Sequence, residues 1–327
     1  MLNVVVGFVI ALVLTVLMVA AYLAWTTRAL ARKAERALPP TGSFITVNGN
    51  RIHYIDRGKG QPILMVHGLG GSLHHLRRPL MDAFGDGYRL IALDRAGSGY
   101  STRTEASTGS LQEQAREIAA FIDALKLEKP LLVGHSLGGA IALATALDYP
   151  EKIAGLALLS PLTRFDPNLP SQFKALAITS PLKRRLVANT IAVPMSVKNA
   201  PVVLDAVFGP QQPPSDYAVA GGAMVGLRPA HFYGTSLDLV GSRRDLAEYE
   251  TRYGELDMPV GILFGTKDRI LDYEKNGVLT AERIPGVELE LVDGVGHMPQ
   301  YAETDRVVAF VRRIAERAFT LARNNAS

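Results

Sequence analysis

The turn GHSLGG at residues 134–139 constrains the fold of this 327-residue chain more than any other segment. An apolar, strand-like run (Leu131–Val133) precedes it, and a run of small and apolar residues with helical character (Gly139–Leu147) follows it. Strand, turn and helix in this order fit the pattern G-x-S-x-G, in which the serine lies on a sharp turn with its hydroxyl exposed. The flanking glycines allow the close chain approach that such a turn needs. We therefore predict Ser136 as a nucleophile on a sharp turn after the strand Leu131–Val133; the alternative is an ordinary glycine turn.

Strand-like and helix-like segments alternate along most of the remaining chain. A hairpin signal, Asn48-Gly49-Asn50, separates two short strand-like runs. Alternation of this kind predicts a mostly parallel sheet with helices on both faces. The composition agrees, since 48% of the residues are hydrophobic but only 7% aromatic, so the core must be built from aliphatic side chains. The predicted strands are Phe44–Val47, Ile52–Ile55, Ile63–Val66, Tyr88–Leu93, Leu131–Val133, Ile153–Leu159, Val260–Phe264 and Val287–Val292, and the predicted helices include Leu111–Leu127 and Glu303–Ala322.

The alternation stops between residues 164 and 252. Prolines are frequent there, and helix-like pieces such as Ser180–Thr190 and Pro201–Phe208 lie between them. We interpret this stretch as a helical lid inserted between two parts of the sheet domain, residues 41–163 and 253–327.

A serine hydroxyl needs a base to act as a nucleophile at neutral pH. In proteins with the G-x-S-x-G turn, the acid and the histidine follow the serine in chain order, which leaves His231 and His297. His231 falls within the predicted lid. His297 follows the predicted strand Val287–Val292, at the carboxyl edge of the sheet where open α/β folds bind ligands. We predict His297 as the base for Ser136.

Asp268 is the best candidate for the acid that orients the histidine, because it lies just past the predicted strand Val260–Phe264. Asp272 and Asp293 are the alternatives. Asp272 falls four residues later, in the helix that follows. Asp293 is close to His297 in sequence, but this does not place its carboxylate behind the ring.

An acyl-transfer intermediate needs two backbone N–H donors for its oxyanion. We predict the amide of Leu137, directly after the serine, and the amide of Leu69 in the glycine-rich turn HGLGG at residues 67–71. A second glycine-rich turn, DRAGSGYS at residues 94–101, lacks the G-x-G-x-x-G pattern of a phosphate loop. We interpret it as a turn that braces the HGLGG turn, with Asp94 and Arg95 as candidates for an ion pair.

The segments HGLGG, DRAGSGYS, GHSLGGA, GTKDRI and GVGHMP, in this order, resemble the α/β-hydrolase superfamily, and more narrowly its bacterial esterase, lipase and carbon–carbon hydrolase branch. The resemblance runs from about Thr41 to the end and is weakest in the lid. It implies the α/β-hydrolase fold and a Ser-His-Asp triad that acts through an acyl-enzyme. Haloalkane dehalogenases and epoxide hydrolases of this fold carry aspartate at the position of Ser136, which argues against both. The layout is similar to that of anchored, monoacylglycerol lipase-like esterases.

Residues 1–27 carry no charged side chain, and Val4–Trp25 is almost continuously apolar. A helix of about 20 such residues crosses the hydrocarbon core of a bilayer. We predict a transmembrane anchor over residues 1–27 and a basic juxtamembrane linker over residues 28–40, and we expect residues 1–38 to be removable without loss of activity. A cleaved signal peptide is the alternative, since Ala29-Leu30-Ala31 has the form of a cleavage site. The run is, however, longer than the about 7–15 apolar residues of a signal core.

The charges bound the location and the partners. The basic residues next to the apolar run all lie on its carboxyl side, so the positive-inside rule places the following domain in the cytoplasm. The formal net charge of +4 is too small to indicate nucleic-acid binding. The absence of cysteine excludes disulfides, thiolate catalysis and cysteine-bound metals. The basic residues are Arg28, Arg32, Lys33 and Arg36.

We expect the substrate to be a carboxylic ester with an apolar or lipid-derived acyl chain, with a membrane as partner through the N-terminal helix and without a metal or organic cofactor. Apolar lid residues are candidates for the acyl pocket, although packing of the lid on the core explains them equally well. They are Phe173, Leu176, Ile178, Met195, Val202, Leu204, Val207 and Phe208.

Three other functions remain open. The same triad could hydrolyse a carbon–carbon bond in a diketone-type substrate. A small peptidase could use lid carboxylates to bind a free amine, with Asp205, Asp216 and Asp238 as candidates. A catalytically silent binding protein on the same fold is the third.

Overall fold

The apolar runs pair into one sheet in the computed structural model, which describes residues 1–168 and 171–324. Within these residues the sheet has eight strands in the order β1-β2-β4-β3-β5-β6-β7-β8. The strands are β1 (Ser43–Val47), β2 (Asn50–Gly58), β3 (Gln61–Val66), β4 (Tyr88–Leu93), β5 (Leu131–His135), β6 (Gly155–Leu159), β7 (Val260–Gly265) and β8 (Glu288–Val292).

The described helices are α1 (Leu2–Ala37), α2 (His74–Leu76), α3 (Leu111–Ala124), α4 (Leu137–Asp148), α5 (Pro181–Asn189), α6 (Ala192–Phe208), α7 (Pro229–Thr251), α8 (Leu279–Ala281), α9 (Pro299–Ala302) and α10 (Thr304–Asn324). Short 3₁₀ turns lie at Pro150–Lys152, Ser171–Leu176, Ala223–Leu227 and Tyr253–Glu255, and short π-helical turns lie at Arg77–Met81 and Glu274–Val278.

Strand direction follows from the connections. β1 and β2 form an antiparallel hairpin across Asn48 and Gly49, which both have positive φ, and β2 is antiparallel to β4. All other neighbouring strands are parallel and are joined by helical crossovers. The predicted mostly parallel sheet flanked by helices is therefore confirmed.

Successive side chains of each strand point to opposite faces of the sheet, so the core has two layers. On β3, Ile63 and Met65 pack with α10 on one face, whereas Leu64 and Val66 pack with α3 and α4 on the other. Helix α4 consists of small and aliphatic residues and is buried almost throughout, so it lies directly against the sheet. This packing fixes the end of β5, where Ser136 lies.

The predicted lid region contains α5, α6 and α7, and α7 differs from the other two in how it packs against the sheet domain. Helix α7 contacts α3 and α4, and a Cβ on Gly241 would lie 2.4 Å from the carbonyl oxygen of Thr108. Helix α6 begins nine residues before the predicted piece and continues through Pro201, where the missing N–H removes one helical hydrogen bond. The last helix of the lid is thus part of the core packing, while α5 and α6 lie further out.

Helix α1 continues without a break to Ala37, so residues 28–37 of the predicted linker are helical. It is the single described helix long and apolar enough to cross a membrane. Its 36 residues correspond to about 54 Å, more than the about 30 Å of a hydrocarbon core. Thr27, Ala31 and Ala34 share one helical face, which is buried where α1 contacts α5, α6 and the turn Ala223–Leu227.

Candidate active site

Ser136 occupies a strained turn between β5 and α4. Its φ of 54° and ψ of −122° lie outside the regions that side chains ordinarily adopt. The strain is held by neighbours that come very close, since a Cβ on Gly138 would lie 2.1 Å from the carbonyl oxygen of Val66. The side chain of Ser136 faces a large cavity beneath the lid.

His297 and Asp268 meet on the loops after β8 and β7. Nδ1 of His297 lies 2.6 Å from Oδ2 of Asp268, and both side chains are almost fully buried. The other oxygen, Oδ1 of Asp268, accepts from the amides of Ile270 and Leu271 at 2.7 and 2.9 Å. His297 lines the same cavity as Ser136. The structure therefore brings the predicted serine, histidine and aspartate to one edge of the sheet.

The two alternative acids are engaged elsewhere. Oδ1 of Asp272 accepts from the amides of Glu274 and Lys275 at 2.9 and 3.2 Å, at the start of a helical turn. Oδ1 of Asp293 accepts from the hydroxyl of Thr266 at 2.9 Å. Asp268 is the carboxylate that the fold places behind the histidine ring.

The predicted oxyanion donors lie at the cavity wall. Leu137 is the first residue of α4, and the first amides of a helix have no acceptor within it. At the second turn, Nη2 of Arg95 and Nδ1 of His67 donate to the carbonyl of Gly68 at 3.0 and 2.8 Å. In a trans peptide the N–H points opposite to the carbonyl, so the Leu69 amide faces away from Arg95, on the cavity side.

Arg95 belongs to a buried ionic network that reaches the lid. Its Nη1 pairs with Oδ2 of Asp238 on α7 at 2.6 Å, and Oδ1 of Asp238 pairs with Arg103 at 2.6 Å. The predicted pair of Asp94 with Arg95 is wrong, because Asp94 binds His53 instead, at 2.7 Å. Adjacent residues at the end of a strand project to opposite sides, which sends these two side chains in different directions.

His231, which the sequence places in the lid without a role, supports the same turn. Its Nδ1 accepts from the amide of Gly99 at 3.0 Å. Its Nε2 must then carry the proton and donate to the carbonyl of Gly70 at 3.0 Å. Burial lowers the pKa of His231, in keeping with a neutral ring.

The cavity above Ser136 has a volume of about 1440 Å³. Of the apolar lid residues predicted for a pocket, Phe173, Leu176, Met195, Leu204 and Val207 line it. Val202 is exposed and Phe208 is buried against Tyr217, so neither belongs to the described lining, and the same is true of Ile178. Further apolar lining comes from Val187, Ile191, Ala192, Val203, Leu239 and Leu246.

Cationic side chains at the cavity already have partners. Arg164 pairs with Glu250 at 2.9 Å, and Lys275 lies 3.9 Å from Asp166. Nη2 of Arg243 donates to the carbonyl of Asp166 at 2.8 Å. Arg164 and Lys275 are thus paired with carboxylates, whereas Arg243 donates to backbone carbonyls, and most of the cavity lining is apolar.

His75 and Tyr217 also line the cavity, and Nε2 of His75 lies 2.9 Å from the hydroxyl of Tyr217. Burial lowers the pKa of His75 to about 3, so the ring is neutral at neutral pH. This pair adds hydrogen-bonding groups without adding charge.

The three lid carboxylates predicted as candidates for binding a free amine do not face the cavity. Asp205 pairs with Arg269 at 2.9 Å, Asp216 pairs with Arg78, and Asp238 lies in the buried network described above. None of the three is among the described residues that line the cavity. The structure therefore gives none of these three carboxylates a position from which to bind an amine there.

A mainly parallel sheet, a strained serine after β5 and a histidine after β8 define the α/β-hydrolase class. Residues 61–184 match the family model described as alpha/beta hydrolase fold. This protein has the α/β-hydrolase fold, as its sequence motifs predict.

Two named proteins align with most of this chain. A 2-hydroxy-6-oxononadienedioate/2-hydroxy-6-oxononatrienedioate hydrolase of Comamonas testosteroni is 28% identical over 279 residues, covering 81% of this chain and 93% of that protein. The structure of a mutant meta-cleavage product hydrolase, CumD, superposes with a TM-score of 0.68 at 25% identity, covering 84% of this chain and 98% of the other.

A more identical relative matches a shorter region. The dihydrolipoyllysine-residue acetyltransferase component of an acetoin cleaving system from Cupriavidus necator is 38% identical over 120 residues. The match covers 36% of this chain and about a third, 32%, of that protein. The comparisons support hydrolase activity without specifying a substrate.

Proposed function

We propose that this protein is a membrane-anchored serine hydrolase that cleaves carboxylic esters with long apolar acyl chains. The observation that carries the proposal is the large apolar cavity directly over Ser136. At about 1440 Å³ it exceeds the roughly 300–1,000 Å³ of ordinary small-molecule sites. An extended acyl chain fits such a volume, and the mainly apolar lining favours an apolar occupant.

In this mechanism Ser136 attacks the ester carbonyl while Nε2 of His297 takes the hydroxyl proton. The bond from Nδ1 to Asp268 keeps Nε2 free to accept that proton, and it stabilises the imidazolium that forms. The amides of Leu69 and Leu137 hold the oxyanion. His297 then protonates the leaving alcohol, and water repeats the sequence on the acyl-enzyme.

Carbon–carbon bond hydrolysis is the second candidate, because the Comamonas relative covering most of this chain carries that kind of name. The substrate in that name is a dicarboxylate, and such a substrate needs cations that are free to bind it. Arg164 and Lys275 at this cavity are paired with carboxylates, and Arg243 donates to backbone carbonyls. Because two of these three cations are already neutralised, the site favours the ester over the dicarboxylate.

The exposure and packing of α1 and the lid support a membrane location. The first turns of α1 are apolar and exposed, whereas Ala31, within the cleavage-like triplet, is buried against the lid. Ile191, Met195 and Val203 line the cavity and are also partly open to solvent, so the mouth opens on a lid face whose helix α6 packs against α1. An ester dissolved in the bilayer could enter there. The basic residues after the apolar run favour a cytoplasmic domain.

The first experiment is labelling with a fluorophosphonate, followed by p-nitrophenyl esters of increasing chain length. We expect the wild type to be labelled and Ser136→Ala to be unlabelled, while Ser171→Ala, at an exposed serine, is labelled like the wild type. We expect kcat/KM to rise with chain length.

Two outcomes would contradict the proposal. A folded wild type that is not labelled would point to a silent binding protein. A ring-cleavage dicarboxylate cleaved faster than every ester would favour the carbon–carbon hydrolase.

A further inference from the structure

The end of helix α1 is attached to the glycine turn at residues 97–100. Nε of Arg228, the residue before α7, donates to Oε1 of Glu35 at 2.8 Å. Nη1 of the same arginine donates to the carbonyl of Gly99, and its guanidinium lies 4.6 Å from the centre of the Tyr100 ring. The Tyr100 hydroxyl in turn donates to the carbonyl of Leu38 at 2.6 Å. Charge, ring and backbone contacts all converge on this turn.

The same turn is connected to the HGLGG turn of the site. The Gly99 amide donates to Nδ1 of His231, and Nε2 of His231 donates to the carbonyl of Gly70. Gly70 follows Leu69, the proposed oxyanion donor, and His231 itself lines the cavity. A neutral imidazole can accept at one nitrogen and donate at the other, so a single ring joins the two turns.

Close packing leaves this connection little freedom. Helix α7 carries His231, and a Cβ on its Gly234 would lie 2.4 Å from the carbonyl oxygen of Gly97. The helix thus lies directly on the turn that binds Arg228. A shift at the end of α1 must then move the turn, the histidine or both.

We propose that the juxtamembrane part of α1, residues 28–38, positions the oxyanion turn through Glu35, Arg228, Gly99, His231 and Gly70. Arg228 and His231 are positioning residues in this view, and the inference rests on the proposed ester hydrolysis. The anchor helix is then a working part of the active site as well as a tether. Errors of about 1 Å in such a turn lower rates by up to about 100-fold.

The test uses full-length protein in detergent, with kcat, KM and the unfolding temperature measured for each variant. Glu35→Gln removes the charge at the helix end, and we expect kcat to fall about fivefold with KM unchanged. Its ion pair is partly exposed, so the unfolding temperature should hardly move. Lys33→Gln, at an exposed position of the same helix, and Arg57→Gln, which removes an exposed ion pair elsewhere, should match the wild type.

His231→Leu removes both hydrogen bonds, and we expect kcat to fall about 100-fold. His231→Gln should recover part of the loss, because an amide can both accept and donate. The double variant Glu35→Gln with His231→Leu should be no slower than His231→Leu alone, since both act on one connection. Should His231→Leu fail to fold, His231→Gln paired with Glu35→Gln provides the same cycle.

Two results would overturn the inference, provided that the wild type is active and labelled. In the first, Glu35→Gln has the same kcat as Lys33→Gln. In the second, the losses in kcat of Glu35→Gln and His231→Leu multiply in the double variant. A wild type that is not labelled would instead overturn the proposed function. The two failures are therefore distinguishable.

Discussion

At the scale of single residues, Asp268 uses its two carboxylate oxygens for different purposes. One oxygen binds the ring of His297, and the other accepts two backbone amides that hold the loop. A carboxylate fixed on one side can impose a single orientation on its partner, which is the requirement for a histidine that must accept a proton at Nε2. Position 268 thus tests the proposed mechanism directly.

We predict that Asp268→Asn lowers kcat by about 10⁴-fold, as the corresponding change does in serine proteases, because the amide favours the wrong tautomer of His297. Folding should change little, since the shape is kept. Steady-state kinetics with a p-nitrophenyl ester measures the effect, with Asp293→Asn as the matched control. Equal losses in the two variants would remove Asp268 from the proposed triad.

Glu117 gives a pH prediction that concerns stability. Burial raises its pKa to about 7, although Asn50 donates to its carboxylate at 2.6 Å. The unfolded state releases this proton above about pH 4.5, whereas the folded state keeps it up to about pH 7. The folded state therefore loses stability relative to the unfolded state as the pH rises from 4.5 through 7. Glu117→Gln should be more stable relative to the wild type at pH 8 than at pH 5, by about 2 kcal/mol.

Urea unfolding at the two pH values measures this difference. Glu316→Gln, at an exposed site on α10, controls for the general effect of removing one carboxylate. A Glu117→Gln variant whose relative stability is the same at both pH values would show that this group stays ionised in the folded protein.

The role of a site residue could be predicted where its sequence signal is local. Ser136, Asp268 and His297 each follow a recognisable strand and lie in a short glycine-rich or turn-like motif. The sequence pairs Arg95 with the wrong carboxylate and gives His231 no role, because their partners Asp238 and Gly70 lie 143 and 161 residues away along the chain. No periodicity or spacing relates such positions until the lid helix is placed.

At the scale of elements, α7 is the helix that joins lid and core. Asp238 enters the core from it and pairs with Arg95 and Arg103, with its side chain fully buried. Removing one member of a buried ionic group leaves uncompensated charge, which costs more than the pair contributes. The helix is therefore held by charge as well as by the close contacts of its glycines.

We predict that Asp238→Asn lowers the free energy of unfolding by about 3–5 kcal/mol. Asp205→Asn, which breaks an exposed pair with Arg269, should cost less than about 1 kcal/mol. Equilibrium denaturation of both variants measures the contrast. Similar losses at the two sites would mean that the buried network is not a major source of stability.

The boundaries of the sheet elements followed closely from the sequence, whereas those of the lid did not. Tyr88–Leu93 forms the strand over the predicted residues. Helix α6 runs through Pro201, because its contacts with α1 and α7 override local preference. Phe208 packs against Tyr217 and Tyr301 instead of lining the cavity. An apolar pattern shows that a helix has a buried face but not which neighbour covers it.

At the scale of the whole molecule, α1 joins its exposed apolar first turns to the lid. The side chains of Thr27, Ala31 and Ala34 are buried, and Thr27 donates to the carbonyl of Thr190 at 2.5 Å. The sequence alone treats residues 28–40 as a linker, since a run of basic residues carries no signal for a tertiary contact. The contacts change the expectation for truncated proteins.

We predict that a chain starting at residue 21 keeps full activity, because the preceding part of α1 is exposed. A chain starting at residue 39 uncovers apolar lid surface and loses Glu35, so its kcat should fall at least about fivefold and it should aggregate more readily. Size-exclusion chromatography and kinetics compare the two. Equal activity and equal solubility would show that α1 serves as a tether alone.

The burial of Gly234, Asp238 and Gly241 also bears on how new specificities could arise on this scaffold. Part of the 177–222 segment lines the cavity, but the segment also holds the His297 loop, because Gln211 donates to the carbonyl of Gly294 and accepts from the amide of Gly296. A replacement from a relative would have to keep these two hydrogen bonds and the close approach of Gly209 to Gly296. Helix α7 demands more, because its replacement would have to supply an acid for Arg95, a ring for the carbonyl of Gly70 and two small residues for the core. Lid and core therefore have to be inherited together over both segments.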